Sequence, residues 1–128
     1  MSRQFHLGDI LSITTDVLLS PRLIEGVYDI LNYMTGDTLF THQLPRAGRE
    51  CKPWLLRQHP QLNGVEYPED PKPADPFEWL EAQCAIYGDM LPVDPIPADD
   101  HTRKDAVDEL AEMIGPEKII VVKTESEP

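Results

Sequence analysis

Apolar positions fall into short periodic blocks separated by proline and glycine, and their spacing predicts the elements. Leu7, Ile10 and Leu11 recur at i, i+3 and i+4, the period of a short helix opening near Gly8. The run Ser12-Ile13-Thr14-Thr15 has low helix propensity and leaves a strand open there. Leu23, Val27, Ile30, Leu31 and Met34 line one face of an amphipathic helix. Ser20-Pro21 reads as its cap and first-turn proline, and Gly36 as its left-handed stop, so a helix is expected over 21–35. Across 41–58, Pro45 and Pro53 each suit a first-turn position. That predicts two short helices in series, with Leu44, Trp54 and Leu55 inward and His59-Pro60 as the stop.

Residues 60–76 carry five prolines and four acids, which reads as an extended surface crossing and a poor core segment. Asp75-Pro76-Phe77 opens a helix reaching Tyr87, with Phe77, Leu80 and Cys84 on one face and Gly88 ending it. Met90–Val93 is a short extended run whose proline favours a sheet edge. A helix is expected over 105–114, with Ala106, Leu110 and Met113 or Ile114 inward and Gly115-Pro116 as its stop. Ile119–Val122 is β-branched throughout and reads as a strand. Strand, helix and strand over 90–122 suggest a C-terminal β-α-β-like unit with a right-handed crossover. The expected class is α+β: a predominantly helical single domain, 1–128, with a small sheet. Its parts are a helical region 5–59, the acidic crossing 60–76, an acidic region 77–122 and a frayed tail 123–128.

Charge changes this picture. The chain carries a net charge of −12, and all of it belongs to one half. Residues 1–65 hold six basic and six acidic side chains, whereas 66–128 hold five basic and 17 acidic. Residues 42–59 are locally basic. Such a balance disfavours bare nucleic acid or an anionic membrane as partner, because those contacts rely on Lys and Arg. No apolar run approaches the length of a membrane span, and the N-terminus lacks the apolar core of a secretory signal. Cys51 and Cys84 are far apart and form no Cys-x-x-Cys pair, which suits buried thiols in a reducing cytoplasm; a disulfide or a reactive thiol is the alternative.

Candidate chemistry is sparse. His6 and Asp9 sit at i, i+3, so a carboxylate can orient the imidazole. The segment Thr35–Arg46 gathers a hydroxyl, an imidazole and a guanidinium around a Gly36-Asp37 turn. It can form a small anion site, with His42 as acid/base and Arg46 as anion holder. The plainer reading has Thr41 capping the next helix and Arg46 paired with Asp37 or Glu50. Asp99-Asp100-His101-Thr102 mixes metal-capable groups, but the plainer reading has Asp100 or Thr102 capping the helix that follows. There is no zinc-like histidine spacing, phosphate loop or nucleophile elbow, so no metal or cofactor is expected and the balance leans away from an enzyme.

In His6–Thr15, Gly26–Asn32, Thr35–Arg46, Tyr87-Gly88, Asp99–Thr102 and Ile119–Val122, the chain resembles a family of small uncharacterised bacteriophage and prophage proteins. The resemblance implies a mobile element within a bacterial cytoplasm and attaches no activity, ligand or site residue. Small acidic proteins of that setting include inhibitors of host defence nucleases, such as anti-CRISPR proteins, which is an analogy of role. The leading expectation is therefore a non-enzymatic protein that docks carboxylates on a basic host surface, through Glu66, Glu69, Asp70, Asp75, Asp99 and Asp100. The alternatives are a small enzyme or anion-binding protein centred on Thr35–Arg46, and a phage assembly factor that self-associates through its two charge regions.

Overall fold

Helix α1 (Leu7–Thr15) lies at the centre of the molecule, with Leu7 through Thr14 all buried. This is a computed structural model, and it describes residues 2–102 and 106–114. Burial on every side explains the mixed sequence signal at Ser12–Thr15. A helix packed all round needs small polar residues whose groups are satisfied locally. The Ser12 hydroxyl donates to the Gly8 carbonyl (2.7 Å) and accepts the Leu19 N–H (2.8 Å). Asp16 ends the helix in the left-handed region, at φ 63°.

Helix α2 (Ile24–Thr35) presents Val27, Ile30, Leu31 and Met34 to the core, as its period predicts, but Leu23, expected on the same face, precedes the helix and is exposed. It starts at Ile24 rather than at Pro21. Ser20 lies too far ahead to cap it: its hydroxyl donates across eleven residues to the Asp9 carboxylate and accepts the Arg22 N–H (3.2 Å). Residues 20–23 instead form a tight turn closed by Leu23 N–H on the Ser20 carbonyl (2.9 Å), with Leu23 at φ 58°. Gly36 closes α2 in the left-handed region, as expected.

After a 3-10 turn at Thr41–Gln43, helix α3 (Leu44–Gln58) runs as one element instead of two. Pro53 sits inside it. Pro53 and Arg49 are both exposed, so the carbonyl that loses its donor lies on the solvated side. Leu44, Ala47, Cys51 and Leu55 form an unbroken buried stripe, and its burial outweighs one missing backbone bond. Trp54 is half-buried, with the Arg57 guanidinium 4.4 Å from its ring centre.

The crossing is not wholly a surface segment. Leu62 is fully buried in a 3-10 turn (Pro60–Leu62), and Tyr67 is buried with its ring 5.1 Å edge-on to Trp79. Two apolar side chains suffice to pin the segment to the core, despite its prolines and charge. Helix α4 (Pro76–Tyr87) starts where the sequence places it: the Asp75 carboxylate accepts the Phe77 N–H (2.9 Å) and Pro76 fills the first turn. Only Leu80 of its apolar face is fully buried; Phe77 and Ile86 are exposed.

Strand β2 (Met90–Val93) pairs antiparallel with β1 (Arg3–His6), in a register that sets Arg3 against Val93 and His6 against Met90. Its partner is thus the N-terminus. The second strand expected at Ile119–Val122, the Gly115-Pro116 stop and the tail lie outside the described residues, and with them the rest of the β-α-β unit. The molecule is accordingly a mostly helical α+β fold with a small antiparallel sheet. Gln58 clasps the segment after β2 at both ends of its amide: Asp94 N–H to Oε1 (2.9 Å) and Nε2 to the Asp94 carbonyl (3.2 Å). Helix α5 (Ala106–Ile114) follows a 3-10 turn at Ala98–Asp100. Among the described residues no helix is long and apolar enough to cross a membrane.

Candidate functional site

The six acids expected to meet a partner, Glu66, Glu69, Asp70, Asp75, Asp99 and Asp100, are all exposed. Glu66, Glu69 and Asp70 stand on the crossing, Asp75 caps α4, and Asp99 and Asp100 form the 3-10 turn before His101. No ion pair within 4 Å engages any of them among the described residues. The arginines behave differently. Arg3 grips Asp29 with both terminal nitrogens (3.0 and 2.7 Å), and Arg22 bridges Asp29 (3.0 Å) and buried Asp9 (2.9 Å). Burial pushes the Asp29 carboxyl up, but the hydrogen bonds from Arg3 and Arg22 leave it below its ordinary value. Three of the first half's six basic side chains, Arg3, Arg22 and Arg46, are therefore neutralised in place, while the exposed carboxylates from Glu66 to Asp100 are not.

His6 and Asp9 do not form the pair their spacing allows. The His6 Nδ1 caps α1 by accepting the Gly8 N–H (2.9 Å), and Asp9 is held by Ser20 and Arg22.

The Thr35–Arg46 segment enters a polar cluster that sequence spacing could not reveal. Arg46 forks onto Glu109 of α5, Nε to Oε2 at 2.6 Å and NH2 to Oε1 at 2.8 Å. Its NH1 reaches Glu50 (2.9 Å) and the Thr102 carbonyl (2.5 Å). Gln43 adds Nε2 to Glu109 (3.1 Å). His101, buried, sets Nδ1 against Glu50 Oε1 (2.6 Å) and Nε2 against Asp37 Oδ2 (3.0 Å). Of the two partners considered for Arg46, Glu50 is the one found. The hydrogen bonds to Glu109 hold the guanidinium pKa up, and at least four of its donors are engaged, so it is not an open anion holder. His42 stacks on Phe40, 6.3 Å between ring centres, and the Thr41 hydroxyl shares a hydrogen bond with Tyr28. The cluster fastens α5, the 3-10 turn and α3 together.

Burial pushes the Glu50 carboxyl up, yet the His101 ring, the Thr102 N–H (3.0 Å) and Arg46 together hold it below its ordinary 4.5. A carboxylate depressed in the folded state binds fewer protons than in the unfolded chain. Its contribution is present above the unfolded value and is lost as pH falls through the folded one. Glu50→Gln is expected to flatten the acid limb of the urea midpoint plotted against pH; an unchanged limb would show that Glu50 does not titrate with folding.

Both cysteines are free thiols. Burial pushes Cys51 up to about 12, so it is a core thiol and not a nucleophile. Among the described residues no three His, Cys, Asp or Glu side chains converge as metal ligands.

An open trough of about 950 Å³ lies between the C-terminal end of α1, Lys52 of α3 and the crossing. Two buried hydroxyls in its lining, Thr14 Oγ1 and Tyr67 OH, have no hydrogen-bond partner. A second, smaller groove of about 460 Å³ runs along α4, with Phe77, Leu80 and Cys84 in its wall and Glu81 and Asp89 beside them.

No curated protein and no solved structure is detectably similar to the chain. A family model described as a domain of unknown function (DUF7736) matches residues 5–65, which lie within the charge-neutral half and span α1 through α3.

Proposed function

We propose that this is a non-enzymatic binding protein of a bacteriophage or prophage, acting in the bacterial host cell. Its acidic half docks on a basic surface of a host protein, of the kind that handles nucleic acid in defence. The observation that supports this reading is the asymmetry of pairing. Exposed carboxylates from Glu66 to Asp100 lack ion-pair partners among the described residues, whereas three of the first half's six basic side chains, Arg3, Arg22 and Arg46, are taken up internally. Unpaired charge costs little in water and is ready to meet a cationic channel. The groove on α4 supplies apolar surface, Phe77 at 40% exposure, beside Glu81 and Asp89. Charge then sets approach and specificity, and the apolar contact adds residence time.

The test is affinity capture from host extract with the native chain and with Glu66→Gln/Glu69→Gln/Asp99→Asn/Asp100→Asn. Asp75 is left intact because it caps α4. The reading expects a nucleic-acid-handling protein retained by the native chain, released by added DNA and absent from the variant. Identical captures by both chains, or none by either, would remove the proposal's support.

A further inference from the structure

The trough beside α1 is a second feature, which shares Glu66 and Glu69 with the acidic surface. Two of its lining residues, Thr14 and Tyr67, carry buried hydroxyls at odds with good packing. Thr14 is 5% exposed and Tyr67 8% exposed, and neither Oγ1 nor OH has a hydrogen-bond partner. A helical threonine ordinarily returns its hydroxyl to the carbonyl four residues back, as Thr15 does to Leu11 (2.6 Å) and Thr35 to Leu31 (2.7 Å). Thr14 does not. Valine and phenylalanine have the same shapes without the desolvation cost of an unmade bond, so stability does not account for these hydroxyls. Around them stand charges of both signs: Asp16, Glu66 and Glu69 against Lys52 and Lys72. None of the five makes an ion pair among the described residues, though all line one trough.

We infer that the trough binds a small zwitterion, with an ammonium and a carboxylate on one compact polar backbone, as in a free amino acid or a dipeptide. A purely anionic ligand meets three carboxylates, and a purely cationic one meets two ammonium groups; only a ligand with both signs matches both sets. Its carboxylate pairs with Lys52 and Lys72, its ammonium with Glu66, Glu69 and Asp16, and its amide or side-chain polar atoms take the Thr14 and Tyr67 hydroxyls after a small rotation of each.

The experiment follows backbone amide signals of the full chain by NMR during titration with glutamine, glycylglycine, spermidine and succinate. Glutamine or glycylglycine is expected to shift Thr14–Val17 and Glu66–Tyr67 saturably, and the stronger of the two identifies free amino acid or peptide as the source. Thr14→Val and Tyr67→Phe are expected to melt no lower than the native chain while binding roughly tenfold more weakly, the equivalent of one lost neutral hydrogen bond. Lys72→Ala, an exposed change, should also weaken binding with melting unaltered. The inference fails if neither zwitterion moves these signals, if spermidine or succinate moves them as strongly, or if Tyr67→Phe lowers the melting temperature. Glu66 and Glu69 also belong to the surface assigned above to a protein partner. The titration uses the isolated chain, so failure of either reading leaves the other standing.

Discussion

Gly26→Ala is expected to destabilise the fold by roughly 4 kcal/mol, through overpacking plus disruption of a buried hydrogen bond. Gly26 lies in the first turn of α2, where the helix crosses α1. A Cβ there would collide with the Ser20 hydroxyl and the Asp9 carboxylate, and would approach the Ser20 Cβ to 2.9 Å. Neither partner can retreat cheaply. Asp9 is 1% exposed and held by Arg22, and Ser20 is fully buried. Moving them strips a buried carboxylate of its hydroxyl donor. Gly48 provides the internal contrast. It lies mid-helix in α3 with nothing within 4 Å of an added Cβ. Gly48→Ala is therefore expected to stabilise by about 0.8 kcal/mol, the propensity difference alone. Urea denaturation of both variants checks the pair. If Gly26→Ala were as benign as Gly48→Ala, the Asp9–Ser20 seam would not be close-packed.

Arg46→Ala is expected to cost about 3 kcal/mol, the scale of removing one partner from a buried ion pair. Its side chain is 14% exposed and that of Glu109 6%, so the lost interactions lie largely out of water. The substitution takes the bidentate cation from Glu109 and a donor from Glu50, and it loosens α5 from the 3-10 turn and α3. Arg46→Lys should recover only part, because an ammonium cannot fork onto both carboxylate oxygens. The double variant Arg46→Ala/Glu109→Ala should lose clearly less than the two single losses added together, since it no longer leaves the Glu109 carboxylate buried and unpaired. Additive losses in thermal or urea unfolding would mean that the two residues do not act as a pair.

These two sites show where local sequence is informative and where it is not. Helix α4 was legible because its signals are adjacent: Asp75 caps, Pro76 opens, Gly88 stops. Gly36 was legible for the same reason. The start of α2 was not, because residues 20–23 close a turn with Leu23 in the left-handed region and the helix begins only at Ile24. Pro53 looked like a helix start because proline fits a first turn, yet the stripe Leu44, Ala47, Cys51 and Leu55 carries the helix through it. The crossing looked like surface because proline and acid dominate its composition, while Leu62 and Tyr67 decide its placement. The cluster around His101 joins residues 37, 43, 46, 50, 101 and 109, and no local period links positions so far apart. The trough depends on two hydroxyls without partners, a property that exists only once the chain is folded. What composition did reveal was the division of charge, which coincides with the end of the matched segment at residue 65.

The most direct measurement is the dissociation constant of the chain for its captured partner as a function of salt, for the native protein and the four-site neutral variant. The account predicts that affinity falls steeply with added salt and that neutralising Glu66, Glu69, Asp99 and Asp100 weakens the complex at least about tenfold at low salt. The variant should also show a shallower salt dependence, since fewer charges take part. An affinity that salt leaves unchanged, or that the neutral variant retains in full, would contradict the claim that the acidic half is the binding surface.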